Sequence, residues 1–190
     1  MGKFIVGLII GLIVFPLLAA AYLFSGYAPV AVTDPPFPLE QYIAGGALEA
    51  GIHRRAPKRD LASFNANDLM AGAQTYRRGC GCHGLPGEER REREIKMFPS
   101  PPQLFTPDGY VTDDPVGVTF WKIKNGIRLS AMPSFSSVLN DEQMWQVAAL
   151  LASADKLPAD VMDVLKQPLG PPPAGENPPK SPNGEAPGKK

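Results

Sequence analysis

The hydrophobic pattern is strongest at the start of the chain. Residues 4–24 read FIVGLIIGLIVFPLLAAAYLF and contain no charged side chain. At about 1.5 Å of rise per residue, such a helix spans about 30 Å, the thickness of a bilayer's hydrocarbon core. Pro16, in the middle of the run, is tolerated in a membrane helix because neighbouring groups can satisfy the freed carbonyl. The pattern predicts a transmembrane anchor within residues 1–27.

The charge next to this run predicts its orientation. Lys3 is the only charged side chain on the N-terminal side, and positive charges stay preferentially in the cytoplasm. We therefore expect everything after Tyr27 on the extracytoplasmic, periplasmic face. The alternative is a cleavable signal peptide with small residues at Ala19–Ala21. The apolar run is long for a signal peptide, which favours the anchor, and both alternatives export the rest of the chain.

The following stretch, residues 28–65, shows no clear periodicity. Residues 33–38 read TDPPFP, and each residue that precedes a proline is pushed out of the helical region. A short helix within residues 42–52 is compatible with the composition. We interpret the stretch as an extended tether that lifts a domain off the membrane.

Helical spacing begins near residue 65. Residues 65–78 repeat apolar side chains every three or four positions, and Asn67 is the expected cap. The apolar face consists of Leu69, Ala73 and Tyr76. A second helix is predicted from Asp114–Pro115 to Asn125–Gly126, since proline is favoured at the first helical position and glycine after the last.

Two further helices close the domain. Asn140 and Gln143 fit a capping box that starts a helix, and Pro158 starts a short one that ends near Lys166. The apolar stripe of the longer helix consists of Met144, Val147, Ala148 and Leu151, with Trp145 beside it. Residues 88–96 carry alternating charges typical of a solvated helical turn. Residues 98–105 contain three prolines and should be non-helical.

These patterns predict an all-α domain over residues 66–167. Residues 168–190 are almost devoid of apolar side chains and should be disordered. Short helices joined by proline-rich loops bury a thin core, and such domains usually need a cofactor, metal or disulfides. The 19 basic and 19 acidic residues balance, which argues against nucleic-acid binding.

The chain has only two cysteines, and a single residue separates them in the run Cys80-Gly81-Cys82-His83. A disulfide between them would close almost no loop. Thiols can instead add to the two haem vinyl groups while the adjacent imidazole coordinates iron, usually with two residues between the cysteines. Here only Gly81 intervenes. Three outcomes fit: two thioethers across a strained turn, one thioether at Cys82, or a sequence one residue short at this point.

The surroundings of this run resemble the class I c-type cytochromes over residues 66–156. Tyr76 precedes the run and Gly84 follows it, and residues 124–135 read KNGIRLSAMPSF before a final aromatic-rich helix. The resemblance implies a small all-α fold around one covalent haem c. It implies haem attachment at Cys80 and Cys82, axial iron ligands His83 and Met132, and haem-propionate contacts from Trp121 and Arg128.

Rival ligands are few. Met97 lies in a proline-rich stretch and is the alternative to Met132, although a methionine is more often core filler. His53 is the only other histidine and lies in the expected tether. Arg128 has two interpretations: it contacts a haem propionate, or it is an ordinary surface residue.

A haem iron with both axial positions filled by protein suits one-electron transfer and leaves no site for a small-molecule substrate. We therefore expect an electron carrier, not an enzyme, with membrane redox proteins as partners. One alternative is a thiol–histidine metal protein that uses Cys80, Cys82 and His83 directly, since soft thiolates favour copper. Another alternative is a haem subunit of a larger respiratory complex.

Overall fold

The computed structural model describes residues 1–79, 81–88 and 96–167. Within these ranges the chain is all-helical, without strands, which confirms the predicted fold class. The α-helices are α1 (Gly2–Phe24), α2 (Glu40–Arg55), α3 (Ala66–Gly79), α4 (Val116–Asn125), α5 (Asp141–Ala152) and α6 (Ala159–Lys166). Single 3-10 turns lie at Leu61–Ser63, Gly81–His83 and Pro107–Gly109.

Helix α1 coincides with the apolar run. It has a mean hydropathy of 2.8 over its most apolar window and none of that window is buried by the rest of the protein. By length and composition it can cross a membrane. Pro16 lies inside it without ending it.

Helix α2 covers the short helix considered within residues 42–52, but it is longer and packs on the domain instead of extending as a tether. Its Ile52 side chain is buried, and the helix contacts α4. Just beyond its end, the carbonyl of Pro57 packs so closely on Gly117 that a Cβ atom at Gly117 would overlap it. Ile52 is the only buried residue of α2. A helix that buries one side chain has no apolar stripe, which is why periodicity did not reveal it.

The N-terminal cap of helix α3 is Asn65, two residues before the predicted cap Asn67. The Oδ1 atom of Asn65 accepts the backbone N–H of Asn67 at 2.8 Å, and Asp68 Oδ2 accepts the N–H of Asn65 at 2.9 Å. Asn67 as the cap was therefore wrong. Its own N–H is one of the donors that the true cap satisfies.

Helices α3 and α5 form the centre of the domain. They approach most closely at Gly72, where a Cβ atom would overlap the carbonyl oxygen of Gln146. The predicted faces meet there: Ala73, Tyr76, Met144 and Val147 are all essentially inaccessible. Helix α4 packs on the other side of α5, and α6 packs on α3.

The local sequence predicted the start of some helices correctly and of others only in part. At α5, Asn140 and Gln143 form the expected reciprocal capping box, at 2.9 and 3.0 Å. At α4, Asp114 makes no cap; its carboxylate lies 3.6 Å from Lys122 Nζ. Helix α6 follows Pro158 as predicted. The expected turn at 88–96, for the most part, and the expected disordered tail at 168–190 lie outside the described residues.

Candidate functional site

The turn Gly81–His83 directly follows the end of α3, and it carries the candidate attachment chemistry. Cys82 and His83 are half-buried, whereas Cys80 lies outside the described residues. Gly84 leaves the turn at a positive φ of 73°. The positive φ favours glycine here, and a Cβ atom at this position would also displace the side-chain oxygen of Gln103.

His83 is oriented by a loop that comes later in the chain. Its Nδ1 atom lies 2.9 Å from the carbonyl oxygen of Pro102. Because a carbonyl only accepts, Nδ1 carries the proton and donates, and Nε2 is then the ring nitrogen able to coordinate a metal. Metal-binding histidines are typically held in this way by a second hydrogen bond. The His83 carbonyl in turn accepts the N–H of Leu104 at 3.4 Å.

Pro102 was missed as a functional residue. The sequence indicated only a non-helical loop over residues 98–105. The available signal was that such a loop exposes carbonyl groups that no helix uses, and a nearby histidine can take one of them.

Tyr76 joins α3 to the same turn. Its hydroxyl donates to the carbonyl of Gly84 at 2.9 Å in a buried position. Its ring packs edge-on against Phe105, with the ring centroids 5.3 Å apart. These contacts fit the predicted place of Tyr76 on the apolar face of the helix. The bond to Gly84 also means that Tyr76 supports the turn that carries His83.

The loop that carries Met132 is held at the end of α4. Gly126 ends the helix with φ 68° and ψ −177°. The N–H of Ile127 donates to the Met132 carbonyl at 3.1 Å, and Ser130 Oγ accepts the Met132 N–H at 3.2 Å. The side chain of Met132 is half-buried against the hydrophobic core. Its backbone is therefore fixed on both sides.

The far end of this loop reaches the end of α3. Ser134 Oγ donates to the carbonyl of Lys124 at 2.6 Å, and the Phe135 N–H donates to that of Ile123 at 3.0 Å. Phe135 Cε1 then lies 3.6 Å from where a Cβ atom would stand on Gly79. The methionine loop and the turn with His83 thus approach the same end of one helix, although they are distant in sequence.

The remaining predicted site residues lie on or just after α4. Trp121 is half-buried, and its carbonyl accepts from Asn125 Nδ2 at 2.9 Å. Arg128 is exposed in the methionine loop. Their contact with haem propionates stays a prediction.

The two rival ligands lie elsewhere. His53 is in the last turn of α2 and lines a surface groove of about 470 Å³ together with Lys58 and Val118. Met97 is half-buried in the loop before Pro99. Within the described part of the chain, no three His, Cys, Asp or Glu side chains gather as a metal site.

The described residues fit a haem. An imidazole with its Nδ1 occupied and a thioether sulfur on a fixed loop are the two donors that such a cofactor takes. Phe105 and Phe135, from the two loops that carry Pro102 and Met132, pack on the core but stay partly exposed. The side-chain nitrogen of Gln103, beside the turn, is buried without a hydrogen-bond partner among the described residues.

Residues 67–151 match the family model described as cytochrome c oxidase, cbb3-type, subunit III. The match supports a c-type cytochrome. It runs from the first turn of α3 into the last turn of α5 and includes Cys82, His83 and Met132. A cytochrome c domain implies haem c as cofactor and electron transfer as function. No curated protein and no solved structure gives a match to this chain.

Proposed function

We propose that this cytochrome is a membrane-anchored one-electron carrier with a single covalent haem c. Cys80 and Cys82 attach the haem, and His83 and Met132 supply its axial ligands. The observation that carries the proposal is the 2.9 Å bond from His83 Nδ1 to Pro102, within the part of the chain that matches a c-type cytochrome family. That bond selects Nε2 of His83 as the ligand atom.

When bound, the haem supplies an iron that cycles between the ferrous and ferric states. The protein contributes the ligands and their environment. A thioether opposite an imidazole favours the ferrous state and raises the reduction potential. With His83 and Met132 as ligands, the bound iron would suit one-electron transfer more than the binding of a small-molecule substrate.

Helix α1 would anchor the carrier, with Lys3 on the cytoplasmic side and the haem domain on the periplasmic side. Its partners would be other membrane redox proteins. Confinement to the bilayer raises the effective concentration of each partner for the other.

A pyridine haemochrome spectrum of the purified full-length chain tests the haem assignment. We expect a band of covalent haem, and its position distinguishes one thioether from two. Cys80→Ser and Cys82→Ser form a matched pair: with two thioethers, each substitution shifts the band to the single-thioether position. If the unsubstituted chain shows no covalent haem, the proposal fails and direct metal binding by the thiols takes its place.

A second candidate is a haem subunit of a larger respiratory complex. The description of the matched family favours it, since it names a subunit of an oxidase. Detergent extraction from the native membrane followed by native sizing discriminates the two candidates. A free carrier migrates alone at the mass of one chain plus detergent, whereas a subunit migrates with its partners.

A further inference from the structure

Large apolar side chains that are exposed after α1 are concentrated in one short segment. Among the described residues beyond Phe24, ten large hydrophobic side chains are exposed, and seven of them lie in residues 27–43. We call residues 27–43 the juxtamembrane segment. Its seven exposed side chains are Tyr27, Val30, Val32, Phe37, Leu39, Tyr42 and Ile43. A concentration of exposed apolar side chains of this kind is typical of an interaction surface.

The segment folds back onto the end of α1. The ring of Phe37 packs against that of Tyr22 with centroids 6.2 Å apart. Tyr22 lies in the last turn of α1, and its hydroxyl reaches the carbonyl of Tyr27 at 3.5 Å. Residue 37 is therefore held at the level of the helix end instead of extending away from it.

The segment also carries little free charge. Between Lys3 and Glu49 the only charged side chains are Asp34 and Glu40. Asp34 Oδ2 accepts the N–H groups of residues 30 and 31, both at 2.9 Å, and Glu40 Oε2 accepts that of Phe37 at 2.8 Å. These bonds satisfy backbone donors locally, which lowers the cost of placing the segment where water is scarce.

We propose that the juxtamembrane segment lies in the headgroup region of the bilayer, with its apolar side chains toward the lipid. The proposal rests on α1 being the membrane anchor proposed above. Tyrosine suits this depth because its ring is apolar and its hydroxyl reaches water. Lipid is favoured over a protein partner because Phe37 packs on Tyr22 in the last turn of α1, so the segment adjoins the exposed apolar surface of the proposed anchor.

This placement restricts the haem domain. Helix α2 begins at Glu40, inside the segment, and reaches the buried Ile52 after about 18 Å at about 1.5 Å per residue. Since α2 contacts α4, the haem domain stays within about one helix length of the bilayer surface. An extended linker of residues 28–65 would allow a far longer reach.

Photocrosslinking of the full-length haem protein in nanodiscs of phosphatidylcholine and phosphatidylglycerol tests the proposal. Photoreactive benzoylphenylalanine replaces Val30 or Tyr42, one position at a time. Val138 is the matched control, an exposed apolar side chain on the haem domain, and Leu18 in α1 is the positive control. Mass spectrometry measures lipid adducts. We expect yields at positions 30 and 42 about tenfold above that at 138, because a side chain in water rarely meets lipid.

Other outcomes overturn the proposal in distinguishable ways. If Leu18 gives adducts but positions 30 and 42 do not exceed 138, the anchor stands and the interfacial placement fails. Adducts at 30 and 42 to a second protein chain, in place of lipid, make the patch a protein interface. If Leu18 also gives no lipid adduct, the anchor fails as well. The haemochrome spectrum, measured on the same samples, reports separately on the haem assignment.

Discussion

The Nδ1 atom of His83 lies 2.9 Å from the carbonyl oxygen of Pro102, a residue from a separate loop. The bond fixes the ring orientation and its tautomer, and it leaves Nε2 as the ring nitrogen that is able to coordinate a metal. His53 lacks this arrangement as an exposed residue of α2. Only His83, of the two histidines, therefore has a ring held in an orientation suited to metal coordination.

This difference predicts the outcome of histidine substitution. His83→Ala should abolish the low-spin spectrum of the haem protein, because the proposed iron ligand is lost. His53→Ala should leave the optical spectrum and the haem content unchanged. Absorption spectra of both oxidation states provide the measurement. Loss of the low-spin spectrum in the His53 variant would instead indicate a bis-histidine site.

The fixed backbone of Met132 predicts a second contrast. Met132→Ala should remove the weak near-infrared sulfur-to-iron band of the oxidised protein and lower the reduction potential, because the proposed thioether ligand, which would stabilise ferrous iron, is lost. Met97→Ala is the matched control and should keep both properties. Retention of the band in the Met132 variant would transfer the ligand role to Met97.

Gly126 predicts a stability effect at the base of the methionine loop. Its φ and ψ values are nearly exclusive to glycine, and a Cβ atom would lie 2.7 Å from both Pro133 C and Ser134 N. Gly126→Ala should cost more than the roughly 1–3 kcal/mol of backbone strain alone, and it should weaken the near-infrared band.

Gly87 is the control for Gly126. It has a positive φ of 82°, but no atom of the described residues lies within 4 Å of the added Cβ. Gly87→Ala should therefore lower the free energy of unfolding only by the backbone strain, about 1–2 kcal/mol. Denaturant unfolding measures both variants. Equal losses would show that the contacts of Gly126 with the methionine loop do not matter.

The Tyr76 hydroxyl predicts a further loss of stability. Tyr76→Phe removes its bond to the Gly84 carbonyl and leaves that buried acceptor short of a donor, which should cost about 1–3 kcal/mol. Tyr110→Phe changes a half-buried tyrosine and should stay within about 0.5 kcal/mol. Thermal unfolding of the two variants provides the comparison. An unchanged midpoint for Tyr76→Phe would exclude a structural role of the bond.

The contact between Gly117 and Pro57 predicts protease sensitivity. Gly117→Ala should push the Pro57 carbonyl away, because the added methyl group overlaps it. Trypsin should then cleave faster at the basic residues between positions 54 and 59, where the freed linker becomes accessible. Gly45→Ala in α2 meets no atom within 4 Å and should not accelerate cleavage. Equal cleavage rates for the two variants would show that this contact does not hold residues 54–59 in place.

The sequence by itself determined the local features of the domain. The apolar run of α1, the helical faces of α3 and α5, the capping box of Asn140 and the stop at Gly126 all depend on residues within one or two turns of each other. Such residues interact whatever the rest of the chain does. The same holds for the adjacency of Cys82 and His83, which is covalent.

The tertiary structure decided the contacts between distant segments. Three such contacts depend on how the helices pack. Pro102 orients His83, and Phe135 meets the end of α3. Ile52 docks α2 onto the domain, in a stretch interpreted from the sequence as a tether. No local pattern encodes these pairs, because each partner has the sequence of an ordinary loop or a weakly amphipathic helix. Burial against another element selects them, and burial is a property of the assembled fold.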